Sequence, residues 1–213
     1  MAEQGIIRLS TLDFPQTRPE SAVVMVGSFA PVHRGHFDAI SAASDALINT
    51  GERVGSIVLT PNSAAYVRHK LPEYHKIWTY EQRVQEILTH NAHPIIPTYV
   101  DDISGGQVDL EQINHRIPHT MRRYLGLTAS RTHLVVGSDQ LLSIESHMAD
   151  TESRAICVLR PGHLGSLVIQ LHHDWAKEAL EGGRLIITDR EDMETDISSR
   201  TVREMTRPNK IGS

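Results

Sequence analysis

Two histidines three residues apart, His33 and His36, are the side chains whose types and spacing point most directly to chemistry. They follow an apolar run at residues 23–26, which is typical of a strand buried on both faces, and Gly35 opens the next helix. The free N–H groups and the dipole of a helix N-terminus attract anions. Two imidazoles at the same place add hydrogen-bond donors, so this turn is predicted to cradle phosphate groups.

The H-x-x-H spacing alone is weak evidence, because a histidine at a helix start is commonly a cap or a solvated surface group. The fuller string over residues 27–36, Gly-Ser-Phe-x-Pro-x-His-x-Gly-His, is much more specific because it follows a buried strand.

A second string near the C-terminus also contains residues that could bind phosphate. Residues 197–203 read Ile-Ser-Ser-Arg-Thr-Val-Arg, which predicts a helix start capped by Ser198 or Ser199. Arg203, one turn into that helix, offers a planar fork suited to phosphate oxygens. A capped surface helix explains this string when it is taken alone, but next to the first string a second phosphate contact is the better interpretation.

The elements that must position these residues alternate between strand and helix along the chain. This alternation predicts an α/β protein with a Rossmann-like doubly wound, mostly parallel sheet of about five to six strands and helices on both faces. Ligands of such sheets lie beyond the carboxyl ends of the strands. The predicted strands are 22–26, 54–59, 95–100, 133–136, 155–159 and 185–188, and the main predicted helices are 35–49, 79–90, 118–125 and 167–180.

Composition limits the function classes. We predict one domain over residues 21–213, preceded by a leader or edge segment at 1–20. The net charge of −5 implies no nucleic-acid partner, and no stretch approaches the roughly 18 apolar residues of a membrane span. The single cysteine, Cys157, lies in an apolar run and is predicted to be a buried thiol. These features predict a cytoplasmic protein and leave the nucleus open.

The two strings together resemble those of the nicotinamide/nicotinate mononucleotide adenylyltransferases, in the H-x-G-H nucleotidyltransferase superfamily. Three further stretches resemble that family in the right order. Residues 137–141, Gly-Ser-Asp-Gln-Leu, are similar to its Gly-x-Asp-x-Leu motif. Residues 60–75 resemble its stretch after the second strand, and residues 80–84 resemble its helix that carries an arginine. The resemblance covers about residues 23–203 and implies the nucleotidyltransferase fold.

The sequence departs from the family pattern at two positions and in one loop. Position 30 is Ala where Asn or Asp is usual, and position 200 is Arg where Thr is common. The family often stacks the pyridine ring on a Trp in the loop after the third strand, but residues 101–106 contain none. Core packing is the favoured role for both Trp78 and Trp175, and Trp78 is the candidate replacement if a tryptophan stacks on the ring. These departures bear on which acceptor substrate the protein uses, and not on whether it transfers a nucleotidyl group.

The resemblance implies roles for individual residues. The catalytic residues would be His33, His36 and Arg203. ATP would be bound by Gly27, Ser28, Phe29, His36, Gly137, Asp139, Ser198, Ser199 and Arg203. The acceptor would be bound by Ser28, Tyr66, Arg68, Trp78 and Arg83. Mg²⁺ would accompany ATP by bridging its phosphate oxygens, which requires few protein ligands and no dedicated metal site.

The predicted function is therefore adenylyl transfer from ATP to nicotinamide or nicotinate mononucleotide, in NAD-type biosynthesis. One alternative is another transferase of the superfamily, either a cytidylyltransferase, which usually carries an Arg-Thr-x-Gly-x-Ser-Thr motif absent here, or a pantetheine-phosphate adenylyltransferase, which is usually shorter. The other alternative is a non-catalytic nucleotide-binding sensor. The choice between the two pyridine acceptors and the formation of a homo-oligomer are left open.

Overall fold

The structure is a computed structural model that describes residues 5–12, 19–73, 78–104 and 119–189. Its strands form a single sheet in which every pairing is parallel. The strands are β1 (Ile7–Arg8), β2 (Ser21–Gly27), β3 (Val54–Pro61), β4 (Thr98–Val100), β5 (Thr132–Gly137), β6 (Arg154–Val158) and β7 (Leu185–Thr188).

Helices connect these strands and cover the sheet. The α-helices are α1 (Arg34–Asn49), α2 (Ala64–Lys70), α3 (Tyr80–Leu88), α4 (Glu145–Met148), α5 (Leu164–Gln170) and α6 (Asp174–Glu181). Short 3₁₀ turns lie at Leu9–Thr11, Ala129–Arg131 and Leu141–Ile144, and a π-helical turn lies at Met121–Leu125. No helix among the described residues is long and apolar enough to cross a membrane.

The strand order β1-β4-β3-β2-β5-β6-β7 confirms the Rossmann-like α/β fold. From β2 the chain builds outward through β3 and β4, and it then returns to add β5 on the other side of β2. The adjacent carboxyl ends of β2 and β5 therefore form the topological switch point, where ligands of this fold class bind.

Within the part of the chain that the structure describes, the sheet has seven strands, slightly more than the predicted five to six. The additional strand is β1, in which Ile7 pairs with Tyr99 and Arg8 with Val100 at the edge of the sheet. A two-residue strand is too short to produce an alternating pattern, so its place depends on pairing with a distant segment.

One predicted helix is wrong as a single element. The segment predicted as one helix over 167–180 contains α5 and α6, separated at His173, whose backbone is extended (φ −67°, ψ 135°). Asp174 then begins α6, where its carboxylate suits the positive end of the helix dipole. The predicted strand 95–100 is also shorter, because β4 begins at Thr98, directly after Pro97.

The apolar core lies on both faces of the sheet. Val23 faces the side covered by α1 and α3, whereas Val24 belongs to the cluster on the opposite side, and neither has accessible surface. This explains why β2 reads as a continuous apolar run. Cys157 is buried as predicted, and burial raises the pKa of its thiol to about 12, so it stays protonated at neutral pH.

Candidate active site

The turn from β2 into α1 folds back over Gly27. Phe29 adopts a left-handed backbone conformation (φ 44°), which is unusual for a residue with a side chain, and its ring is 1% exposed. A Cβ at position 27 would lie 3.2 Å from the Phe29 ring, which is tighter than an ordinary van der Waals contact, so a side chain here would push against the ring. Ala30, one of the departures from the family pattern, is buried and precedes Pro31 in a cis peptide bond.

His33 and His36 meet at the first turn of α1. His33 is the N-cap residue, and its main-chain N–H donates to Nδ1 of His36 at 3.2 Å. The two imidazole centroids are 3.8 Å apart, and the ring of His36 also contacts Phe29 with centroids 4.8 Å apart. The structure therefore places the two imidazoles side by side at a helix N-terminus.

The protonation state of His36 follows from these surroundings. Burial lowers the pKa of His36 well below 6.5, and charge repulsion between protonated His36 and the neighbouring His33, Arg160 and His90 lowers it further. The ring is therefore neutral at physiological pH. Because Nδ1 accepts a hydrogen bond, the proton lies on Nε2, which can donate to an anion.

Arg160 was not among the candidate residues derived from the sequence. It follows β6, and its Nη1 contacts Oδ2 of Asp139 at 3.3 Å, while its main-chain N–H donates to the hydroxyl of Ser138 at 3.1 Å. A Cβ on Gly137 would lie 2.6 Å from Oδ1 of Asp139 and 3.2 Å from Nε of Arg160. Both charged side chains therefore cross the carboxyl end of β5, next to β2. The sequence feature that could have identified Arg160 is its position directly after a predicted buried strand.

The loop after β3 is joined to the turn after β2. The main-chain N–H of Asn62 donates to the carbonyl of Gly27 at 2.8 Å. Ser63 then caps α2, since its hydroxyl accepts a hydrogen bond from the N–H of Tyr66 at 3.1 Å. The residues predicted from the sequence to form the site do not include Asn62.

The predicted acceptor residues occupy three kinds of position. Tyr66 is half-buried on α2 and has Lys70 5.4 Å from its ring centroid, and Arg68 is exposed on the same helix. Trp78 is half-buried just before α3. Arg83 is fully buried, and its guanidinium donates to main-chain carbonyls rather than opening to solvent.

The structure thus brings one set of predicted residues to the switch point and a second set to the neighbouring end of β3. The first set comprises Gly27, Ser28, Phe29, His33, His36, Gly137 and Asp139. The second comprises Tyr66 and Arg68. Ser198, Ser199 and Arg203 lie outside the described residues, as does Arg200.

Over the described ranges, no group of three or more histidine, cysteine or acidic side chains could hold a metal ion. The carboxylate of Asp139, at the end of β5, is paired with Arg160. A Mg²⁺ ion here would therefore have to be held mainly by phosphate oxygens.

The arrangement combines a neutral imidazole donor, a helix N-terminus and an arginine at one strand edge, which suits binding of a polyphosphate and stabilisation of charge during its transfer. A search of curated proteins found no match. A model of the cytidylyltransferase-like family, which includes adenylyltransferases of nicotinamide mononucleotide, matches residues 24–205. This match spans the histidine turn and most of the sheet, so the chain belongs to the cytidylyltransferase-like family of nucleotidyltransferases.

Proposed function

We propose that this nucleotidyltransferase moves AMP from ATP to a pyridine mononucleotide, nicotinamide or nicotinate mononucleotide, and releases pyrophosphate. The observation that carries the proposal is the His33–His36 pair at the N-terminus of α1, with Arg160 at the neighbouring strand end. The resemblance of residues 60–75, 137–141 and 197–203 to the mononucleotide adenylyltransferases supports this acceptor class.

In this reaction an oxygen of the acceptor phosphate attacks the α-phosphorus of ATP. A new P–O bond forms, the bond from the α-phosphorus to the bridging oxygen breaks, and pyrophosphate leaves with that electron pair. The acceptor phosphate is already ionised because its second pKa is about 6. No general base or covalent nucleophile is required, and catalysis depends on positioning and electrostatic stabilisation.

Each group at the switch point has a role in this proposal. Nε2 of His36 donates to a phosphate oxygen, and His33 holds the ring of His36 in place. The N–H groups at the start of α1 and the side chain of Arg160 stabilise negative charge that moves toward pyrophosphate. Gly27, Ser28 and Phe29 let the main chain approach the nucleotide closely.

The remaining predicted residues complete the site. Ser198, Ser199 and Arg203 bind the outer phosphates of ATP, and Asp139 lies toward the adenosine. Mg²⁺ bound to ATP would be held mainly by the phosphate oxygens of the substrate and would offset their charge.

On the acceptor side, Arg68 pairs with the mononucleotide phosphate beside Tyr66, where a charged hydrogen bond contributes roughly 1.5–3 kcal/mol. Trp78 is the candidate for stacking on the pyridine ring, because the loop after β4 carries no tryptophan at residues 101–106.

The decisive experiment measures pyrophosphate release over a panel of donors and acceptors. ATP and CTP are each combined with nicotinamide mononucleotide, nicotinate mononucleotide, phosphopantetheine and phosphocholine, and the variant His36→Ala is the negative control. We expect turnover with ATP and at least one pyridine mononucleotide. Turnover of phosphopantetheine alone, or of phosphocholine with CTP, would refute the acceptor class and leave nucleotidyl transfer intact. ATP binding without turnover of any acceptor would favour a sensor.

A further inference from the structure

Arg83 makes an unusual set of contacts for a charged residue. Its side chain is completely buried on α3, and its Nη1 and Nη2 donate to the carbonyl oxygens of Ser28 and Asn62, each at 2.8 Å. Among the described residues it takes part in no ion pair, and its Nε has no hydrogen-bond partner. Burial lowers the pKa of Arg83 to about 10, so the guanidinium stays charged at neutral pH.

Core packing does not account for this arginine. Val84 and Ile87 of the same helix are fully buried and supply the apolar contact with the sheet. Burying a guanidinium without a carboxylate is costly, and an apolar side chain of similar volume would avoid that cost. What Arg83 adds is a rigid fork that reaches two separate main-chain segments at once.

The two carbonyls belong to the two loops that form the site. Ser28 lies in the turn between β2 and the histidines of α1, and Asn62 lies one residue before Ser63, the cap of α2. The N–H of Asn62 also donates to the carbonyl of Gly27, so the loops touch directly and through Arg83. Beyond the pairing of β2 with β3, one guanidinium and one main-chain hydrogen bond therefore join the loop before α2 to the histidine turn.

The helix that carries Arg83 is itself well anchored. Thr79 caps α3 by accepting from the N–H of Gln82 at 3.3 Å, and the side chain of Gln82 accepts from the N–H of Thr79 at 2.9 Å. The ring of Tyr80 lies 5.5 Å from the guanidinium carbon of Arg83, and its hydroxyl donates to the carbonyl of Asp101 at 3.2 Å. The position of Arg83 is therefore set by its own helix and does not depend on the two loops that it contacts.

We propose that Arg83 is a positioning residue that sets the distance between the phosphate-binding turn and the acceptor helix α2, without contacting either substrate. The inference rests on the proposed function, since the spacing would govern the in-line approach of the acceptor phosphate to ATP. The role differs from the direct acceptor contact that the sequence resemblance implied.

The test compares Arg83→Lys and Arg83→Gln with wild type. Lysine keeps the charge but presents a single flexible ammonium. Glutamine is neutral and can donate to one carbonyl, so it provides a second test of the proposal if the lysine variant does not fold. Misplacing reacting groups by about 1 Å costs on the order of 100-fold. We expect kcat to fall by about 10- to 100-fold in both variants, with the KM values for ATP and acceptor and the calorimetric stoichiometry of ATP binding nearly unchanged.

The matched control is Arg53→Lys. Arg53 precedes β3 at the opposite end of the sheet, and its exposed side chain pairs with Glu20 at 3.3 Å. It should keep wild-type kcat. A kcat within threefold of wild type in Arg83→Gln, or a large rise in the acceptor KM at unchanged kcat, would overturn the positioning role.

A second measurement does not depend on activity. Hydrogen exchange followed by mass spectrometry should show faster exchange in peptides covering residues 27–33 and 62–66 of Arg83→Gln, with β5 and β6 unchanged. Unchanged exchange in both loops would overturn the inference. If wild type turns over no acceptor on the panel, the proposed function fails, whereas the exchange result still decides whether Arg83 holds the two loops together.

Discussion

The main-chain N–H of His33 donates a hydrogen bond to Nδ1 of His36, so the cap of helix α1 determines which nitrogen of the second histidine carries the proton. The backbone amide is always a donor, and therefore Nδ1 must be an acceptor. The Nε2–H group is therefore the donor that the ring can offer to a ligand. The single-proton state also agrees with the lowered pKa of His36.

The first prediction follows from that tautomer. His36→Ala should lower kcat by ~100- to 1000-fold, as expected for removal of one well-placed donor to the transition state, with a smaller effect on acceptor binding. His36→Gln, whose amide nitrogen can occupy the region of Nε2, should recover more activity than His36→Asn. Pyrophosphate release measures kcat, and His172→Ala on the exposed α5–α6 connection is the control. A His36→Ala enzyme within a few-fold of wild type would exclude the proposed role.

The second prediction concerns pH. The native pKa of His36 lies below the unfolded value of 6.5, so the native state binds fewer protons than the unfolded state in that interval. The free energy of unfolding should therefore fall as the pH drops from 6.5 toward the lowered pKa. His93 and His133, whose pKa values burial also lowers, act in the same direction.

The measurement is urea unfolding at a series of values between about pH 5 and pH 7. The slope of stability against pH should be smaller in His36→Gln than in wild type. An NMR titration of the His36 ring identifies the residue directly, and a midpoint at or above 6.5 would contradict the pKa direction.

The third prediction tests the close approach of Phe29 to Gly27. Gly27→Ala would place a Cβ 3.2 Å from a buried ring, which should destabilise the fold by about 1–3 kcal/mol and reduce turnover. Gly165→Ala is the matched control, because no atom lies within 4 Å of its added Cβ and alanine should stabilise helix α5 by roughly 0.5–1 kcal/mol. Thermal unfolding compares the two. Equal stability of both variants would mean that the turn adapts freely.

The fourth prediction concerns the Arg160–Asp139 pair. Arg160→Ala should weaken ATP binding by about 10- to 100-fold if its guanidinium meets a phosphate. The same variant should raise the pKa of His36, because the positive charge of Arg160 helps to hold that pKa down. Calorimetry and ring NMR measure the two effects.

Arg122→Ala, on the exposed side of the π-helical turn, is the control for removal of an arginine charge. Asp139→Asn should leave the His36 pKa low, since Arg160 remains in place. Unchanged ATP affinity in Arg160→Ala would assign the arginine to structure alone.

The sequence determined the local parts of this protein. The apolar run of β2 and the helix pattern after Gly35 depend on neighbouring residues, so the histidine turn was predicted at the observed strand-to-helix junction. The α/β class followed from alternation of such elements along the chain. The family resemblance rested on the same local strings, and the family match over residues 24–205 agrees with it at the level of nucleotidyl transfer.

Only the tertiary structure decided which distant segments meet. Arg83 lies 55 positions from Ser28 in the chain, and Arg160 lies 21 from Asp139, so no local period predicts either contact. The same holds for β1, whose two residues become a strand only by pairing with β4, and for the break at His173 that a continuous helical pattern conceals. Hydrophobic periodicity reports which face of an element is buried, whereas strand order and loop contacts are selected by packing of the whole chain.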